Sequence, residues 1–138
     1  MQHLLSKNLR RLSRLYNKTI SKELPNFDSE YYAEILLIVS SNQQPTAQKT
    51  LVEHLHLDKS RVAILIDHLN KDQYTYTERN PADRREHFIY LTDKGKRLMP
   101  IIQQAIDKVN TSINKHLSEQ NLNCFYATLL QMEQNLTE

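Results

Sequence analysis

Between Thr46 and Leu91 the hydrophobic period of the chain switches from that of a helix to that of a strand, and few folds take that order in so short a stretch. Val62, Leu65, Ile66 and Leu69 fall at i, i+3, i+4 and i+7, the apolar stripe of an amphipathic helix. Asp58 precedes it as an N-cap, because its carboxylate accepts from the unpaired N–H groups of the first turn. Upstream, Leu51, Val52 and Leu55 give one apolar side to a shorter helix from Thr46 to about Leu55. Pro45 stops anything earlier from running through, and Thr46 reads as the cap. Only His56, Leu57 and Asp58 separate the two helices, which suits a helix-turn-helix, although the usual glycine of the turn is missing. Tyr74 to Arg79 and Glu86 to Leu91 then alternate with period two and are β-branched and aromatic, so they read as a hairpin. Its tip is Asn80 to Arg85, turn-forming residues followed by two arginines.

Helix-turn-helix followed by such a hairpin is a winged helix. The remaining chain brackets it with helices. Leu5, Leu9, Leu12, Tyr16 and Ile20 stripe a helix from about Gln2 to Leu24, ended by Pro25-Asn26. Asp28 is placed to cap a second helix, with Tyr31, Ile35, Ile38 and Val39 among its apolar positions. Ser40 to Pro45 is a loop. After the hairpin, Thr92 caps a long helix over about 93–116, lined by Leu98, Ile102, Ala105, Val109 and Ile113. Pro100 lies inside it and should bend it, having no N–H to donate. Ser118 caps the last helix, striped by Leu122, Phe125, Leu129, Met132 and Leu136. The expected fold is mainly α with a small β-hairpin wing. One domain spans 1–138, with a winged helix-turn-helix over 28–92 flanked by dimerisation helices over 1–24 and 93–138. A 138-residue monomer leaves little for the terminal stripes to cover, so these helices are expected to interlock with their copies in a symmetric dimer.

Composition narrows the function classes. A single glycine fits mostly helical structure. No apolar run approaches the ~18 residues of a membrane span, and the first residues lack the apolar core of a signal peptide. One cysteine excludes an internal disulfide framework and fits a reducing cytoplasm. Cys124, amid Leu122, Phe125 and Leu129, reads as a small core residue. A net charge of +2 is no argument for nucleic acid, and acidic and basic side chains nearly cancel between Asp58 and Arg85. Charge is uneven at the ends, however. Residues 1–22 are basic without an acid, while 116–138 carry acids without Lys or Arg, a pattern that lets the terminal helices complement each other. His54 and His56 lie two apart and face different sides of a helix, so no metal site is expected. No nucleophile–base set, phosphate-cradling glycine loop or paired catalytic carboxylates stand out, so neither an enzyme nor a cofactor is expected.

Arg79-Asn80-Pro81-Ala82-Asp83-Arg84-Arg85, followed by Leu91-Thr92-Asp93-Lys94-Gly95, resembles the MarR family of bacterial winged-helix regulators. In that family an Asp-x-Arg element in the wing precedes a strand and a Leu-Thr-x-x-Gly sequence. Asp67-His68-Leu69 matches the late part of the family's reading helix, and the similarity spans nearly the whole chain. The chain departs from the pattern at Ile64, where the family often has Arg, and at His68, where it has Arg or Lys. It departs again at Asp72-Gln73, where a glycine usually ends the reading helix. A non-glycine residue is therefore expected at positive φ there, and Asp tolerates that better than most.

The resemblance implies a homodimeric, sequence-specific transcriptional regulator of double-stranded DNA, a repressor relieved by a small aromatic effector. Two reading helices would enter a pseudo-palindromic operator about one turn, ~34 Å, apart. Ser60 and Arg61 are then best placed for base edges, and Ile64 for a thymine methyl. His68 flanks that face; Lys59 and Lys71 meet phosphate. Arg84 and Arg85 sit where a wing tip meets the minor groove, and by the resemblance Asp83 pairs with Arg85 to hold the tip in shape. Thr46 and Gln48, near a helix N-terminus, are candidates for a phosphate contact through backbone N–H groups. Tyr16, Tyr31, Tyr32 and His3 are candidates to border an effector cavity. The alternative is a winged helix that binds a protein partner and no DNA, which Ile64 and His68 favour.

Overall fold

The computed structural model describes residues 4–24, 27 and 29–138. The start expected at Gln2, the stop at Pro25-Asn26, the Asp28 cap and the cavity role of His3 lie outside the described residues. In chain order the elements are α1 (Leu5–Ser21), α2 (Tyr31–Ser41), β1 (Thr46–Ala47), α3 (Gln48–Leu55), α4 (Lys59–Lys71), β2 (Thr75–Asn80), β3 (Asp83–Leu91), α5 (Asp93–Ile113) and α6 (Glu119–Thr137).

The core lies where α2, α3, α4, β3 and α5 meet. Ile35, Leu36, Leu51, Val62, Leu69, Ile89 and Ile102 are its fully buried side chains. Burying each stabilises the fold by roughly 1.5–3 kcal/mol. The α4 stripe behaves as its spacing demands, with Val62, Leu65, Ile66 and Leu69 all buried. Three expected caps form. Asp58 accepts from Arg61 N–H, Thr92 from Gly95 N–H and Ser118 from Asn121 N–H.

The strands differ from the sequence reading. The sheet has three antiparallel strands in the order β1-β3-β2. Thr46 does not cap a helix: it pairs with Ile89 in the two-residue β1, its side chain is buried, and its hydroxyl accepts from Asn42 Nδ2 at 2.9 Å. α3 begins after it, with Ala47 at the N-cap and no side-chain cap bond. Two residues are too few to show alternation, so this strand leaves no periodic trace. The hairpin also closes more tightly than expected. Asn80 pairs with Asp83 across Pro81-Ala82, so Asp83, Arg84 and Arg85 belong to β3 and not to a loop.

The terminal helices carry their stripes into solvent. Neither α1 nor α6 contains a buried residue, and Leu5, Leu9, Leu12, Phe125, Leu130, Met132 and Leu136 are exposed. Cys124 is exposed as well, contrary to its reading as a core residue, because α6 buries none of its side chains against the described residues. Among the described residues no ion pair joins α1 to α6 within the chain. The long-range pair instead joins Lys108 of α5 to Glu23 at 3.0 Å.

Candidate nucleic-acid interface

The buried stripe of α4 leaves its opposite side in water. Lys59, Ser60, Arg61, Asp67 and Lys71 are exposed there, and Ile64 is 57% exposed, a large apolar side chain with nothing over it. Two of the expected contacts are already engaged within the chain. Lys71 Nζ lies 3.0 Å from the Asp67 carboxylate, an exposed i,i+4 pair worth little in water. His68 reaches solvent, but its Nδ1 is 3.0 Å from the Tyr32 hydroxyl. The Arg61 guanidinium lies over the Tyr31 ring, 5.3 Å from its centroid.

The wing tip is ordered by its own side chains. Asn80 Oδ1 accepts from Ala82 N–H, and Asn80 Nδ2 donates to Glu86. The Asp83 carboxylate accepts from Arg85 N–H at 3.0 Å and from its Nε at 3.2 Å. Those bonds hold the Asp83 carboxyl below the usual carboxylate range. Arg84 and Arg85 project into solvent. Thr46 and Gln48 fare differently. Thr46 is buried in β1 outside the helix, so the free N–H groups of α3 that could serve a phosphate begin at half-buried Gln48.

Reading helix and wing are joined by a junction the sequence reading missed. Gln73, not Asp72, takes the positive φ of 65° after α4. Gln73 N–H donates to Asn70 O and Tyr74 N–H to Leu69 O, a Schellman end to the helix. The Asn70 side chain accepts from the buried Thr75 hydroxyl at 2.6 Å and donates to Thr77 at 2.9 Å, tying the last turn of α4 to β2. On the far side of the wing, Lys94 donates to Asp72 O at 2.7 Å and sits over the Tyr74 ring. Gly95 packs so closely that a Cβ there would lie 2.2 Å from Tyr74 O. This is the physical reason for a glycine four residues after Leu91. Asn70 followed by Thr75 and Thr77 is the one trace of the junction in the sequence, and it becomes legible only once their hydrogen bonds are seen.

A winged-helix DNA-binding domain model matches residues 31–95, the segment from α2 to the start of α5. The HTH-type transcriptional regulator SarZ of Staphylococcus aureus is 30% identical over 114 residues, covering 80% of this chain and 77% of that one. The chain belongs to the MarR family. MgrA of the same species is 30% identical over 100 residues, 72% of this chain and 66% of its own length. Two solved structures share the fold at 20% identity. PcaV of Streptomyces coelicolor, in complex with its natural ligand, superposes with a TM-score of 0.86 over 99% of this chain and 96% of its own. A MarR family regulator of Listeria monocytogenes, complexed with 26mer DNA, superposes with 0.85 over 96% and 88%. These relatives are regulators, not enzymes. Among the described residues no His, Cys, Asp or Glu cluster suits a metal, and no helix is long and apolar enough to cross a membrane.

In this MarR chain a cleft of about 940 Å³ opens between α1, α2 and the end of α3. Tyr16 and Tyr31 line it with Arg14, Glu30, Glu34 and His54. Tyr32 does not: it is a core residue, turned toward His68, because position 32 falls on the buried side of α2. Tyr16 donates to Asn110 of α5 at 2.7 Å, and burial raises its hydroxyl pKa, with Tyr126 adding to the shift. Partial desolvation and then the neighbouring Glu30 raise the carboxyl of Glu34, an exposed side chain, above its ordinary value.

Proposed function

We propose that the chain acts as a homodimer that binds a pseudo-palindromic duplex operator sequence-specifically and represses transcription, with a small aromatic molecule as its releasing effector. The observation that carries this reading is the exposed outer face of α4, Ser60, Arg61 and Ile64, set beside a wing that presents Arg84 and Arg85. The dimer is supported by two helices without a buried residue whose leucines face water. Exposed apolar area on that scale marks an interface. The effector is supported by the cleft that Tyr16 and Tyr31 line, with its aromatic and polar walls. A chain that regulates genes works where the genome is, which agrees with the cytoplasm.

Selection of bound sequences from a random duplex pool tests the reading, with sedimentation at micromolar concentration beside it. The expected result is a two-fold symmetric site with half-sites one turn apart, bound by a dimer. On that site Arg61→Ala should cost roughly 1–3 kcal/mol and relax one base position. Alanine at Arg84 and Arg85 should lower the salt slope by about one unit per lost phosphate contact. A lone subunit that leaves the pool unenriched, with no salt-dependent retention on duplex, would instead favour a protein-interaction module.

A further inference from the structure

Arg61 and His68 lie seven residues apart, so they sit one above the other on one side of α4. The first two residues of α2 meet both: the Tyr31 ring lies beneath Arg61, 5.3 Å from its centroid to the guanidinium carbon, and the Tyr32 hydroxyl meets His68 Nδ1. Arg61 makes no ion pair among the described residues, so the half-buried Tyr31 ring is what fixes its exposed guanidinium. Among the described residues the Arg61 side chain makes no hydrogen bond, and contact with a ring leaves its N–H groups unspent. The donors of a guanidinium lie in its own plane and stay available at the edge. A guanine presents O6 and N7 to just such an edge.

We propose that Tyr31 is a positioning residue for base readout, holding Arg61 in the orientation that meets a guanine, so that base preference is set partly from α2. This rests on the DNA-binding reading above. The ring contact removes the rotamer freedom that a long exposed arginine would lose on binding. Its effect is therefore specific to the sequence Arg61 reads and absent from non-specific binding, which rests on phosphate contacts. The neighbouring Tyr32–His68 contact holds the other end of the same side and keeps α2 in register with α4.

The test uses the full chain, the duplex selected from the random pool, and duplexes with each base pair substituted in turn. Discrimination is the affinity ratio between selected and substituted duplex. Tyr31→Leu should reduce discrimination at the single position that Arg61→Ala also relaxes, by about 2–5-fold, the range of an exposed cation–π contact. Affinity for random duplex should not change. Tyr31→Phe keeps the ring and should match the wild type. Tyr31→Trp, the strongest ring for a cation, should equal or exceed it, which separates the effect from a mere loss of folding. In an Arg61→Ala background Tyr31→Leu should change nothing further at that position. The proposal is overturned if Tyr31→Leu leaves discrimination intact, weakens all duplexes alike, or sharpens discrimination; the last would mean that the ring sequesters Arg61 from the bases. A wild-type chain that selects no duplex overturns the DNA-binding reading itself, whereas normal selection with an indifferent Tyr31 overturns only the positioning role.

Discussion

Gly95→Ala is the substitution for which the structure gives the clearest number. The added Cβ would stand 2.2 Å from Tyr74 O and 3.2 Å from Tyr74 C. The obstacle is backbone, so no side-chain rotation relieves it. Tyr74 O also accepts from Thr92 N–H at 3.1 Å, the bond that seats α5 beside the exit of the reading helix. Forcing a methyl into a packed site costs about 1–3 kcal/mol, and loss of the hydrogen bond adds about 0.5–1.5 kcal/mol. Against this, alanine is the better helix former by up to ~1 kcal/mol. The net expectation is a loss of about 0.5–3.5 kcal/mol, or roughly 2–12 °C in Tm for a chain of this size. Urea unfolding followed by circular dichroism measures it, at one fixed protein concentration so that any self-association contributes equally. Arg97→Ala, exposed on the same helix, is the control and should stay within about 0.5 kcal/mol. A Gly95→Ala variant as stable as the control would refute the claim that this glycine exists for close approach.

Three further outcomes follow from the same region and the cleft. Gln73→Gly should stabilise the chain by about 0.5–1 kcal/mol in the urea midpoint, since φ of 65° costs a side chain ~1–2 kcal/mol and glycine returns part of that as unfolded-state entropy. Asn70→Ala leaves the buried Thr75 hydroxyl without its acceptor and should cost about 1–3 kcal/mol; a loss under 0.5 kcal/mol would show that another group takes over. Glu34 has a folded pKa raised above its ordinary value, so its contribution is favourable at low pH and is lost as pH rises through the folded value. Glu34→Gln should therefore raise Tm at pH 7 and bring no gain at pH 4; an equal gain at both would assign the effect to something other than charge.

The parts of the fold that could be read from the chain are those where one periodic stripe meets one core. Val62, Leu65, Ile66 and Leu69 repeat over two turns, and Asp58 has a single use in front of them, so α4 and its cap were unambiguous. β1 was not, because a two-residue strand has no period and is specified only by its partner Ile89, more than forty residues away. The same reason hid the true role of Thr46, whose propensity as a cap is real but yields to a ladder and to Asn42. At the exit of α4 the need for positive φ was legible and its place was not. Asp72 and Gln73 are adjacent, and the Schellman bonds to Asn70 and Leu69, which no local pattern announces, decide in favour of Gln73.

The site divides along a different line. A sequence ranks side chains by what they can donate or accept, and by that rule Arg61, His68 and Lys71 are all candidates for DNA. The fold adds what each already holds. Lys71 has Asp67, His68 has Tyr32, and Arg61 has a ring beneath it that leaves its donors free. Tyr31 and Tyr32 look interchangeable as neighbours in the chain, but the step of about 100° between them along α2 sends Tyr32 into the core and leaves Tyr31 between the cleft and Arg61 of α4. One aromatic ring thus belongs both to the wall of the cleft and to the seat of the exposed Arg61. A molecule seated in that cleft would therefore touch the ring on which Arg61 rests.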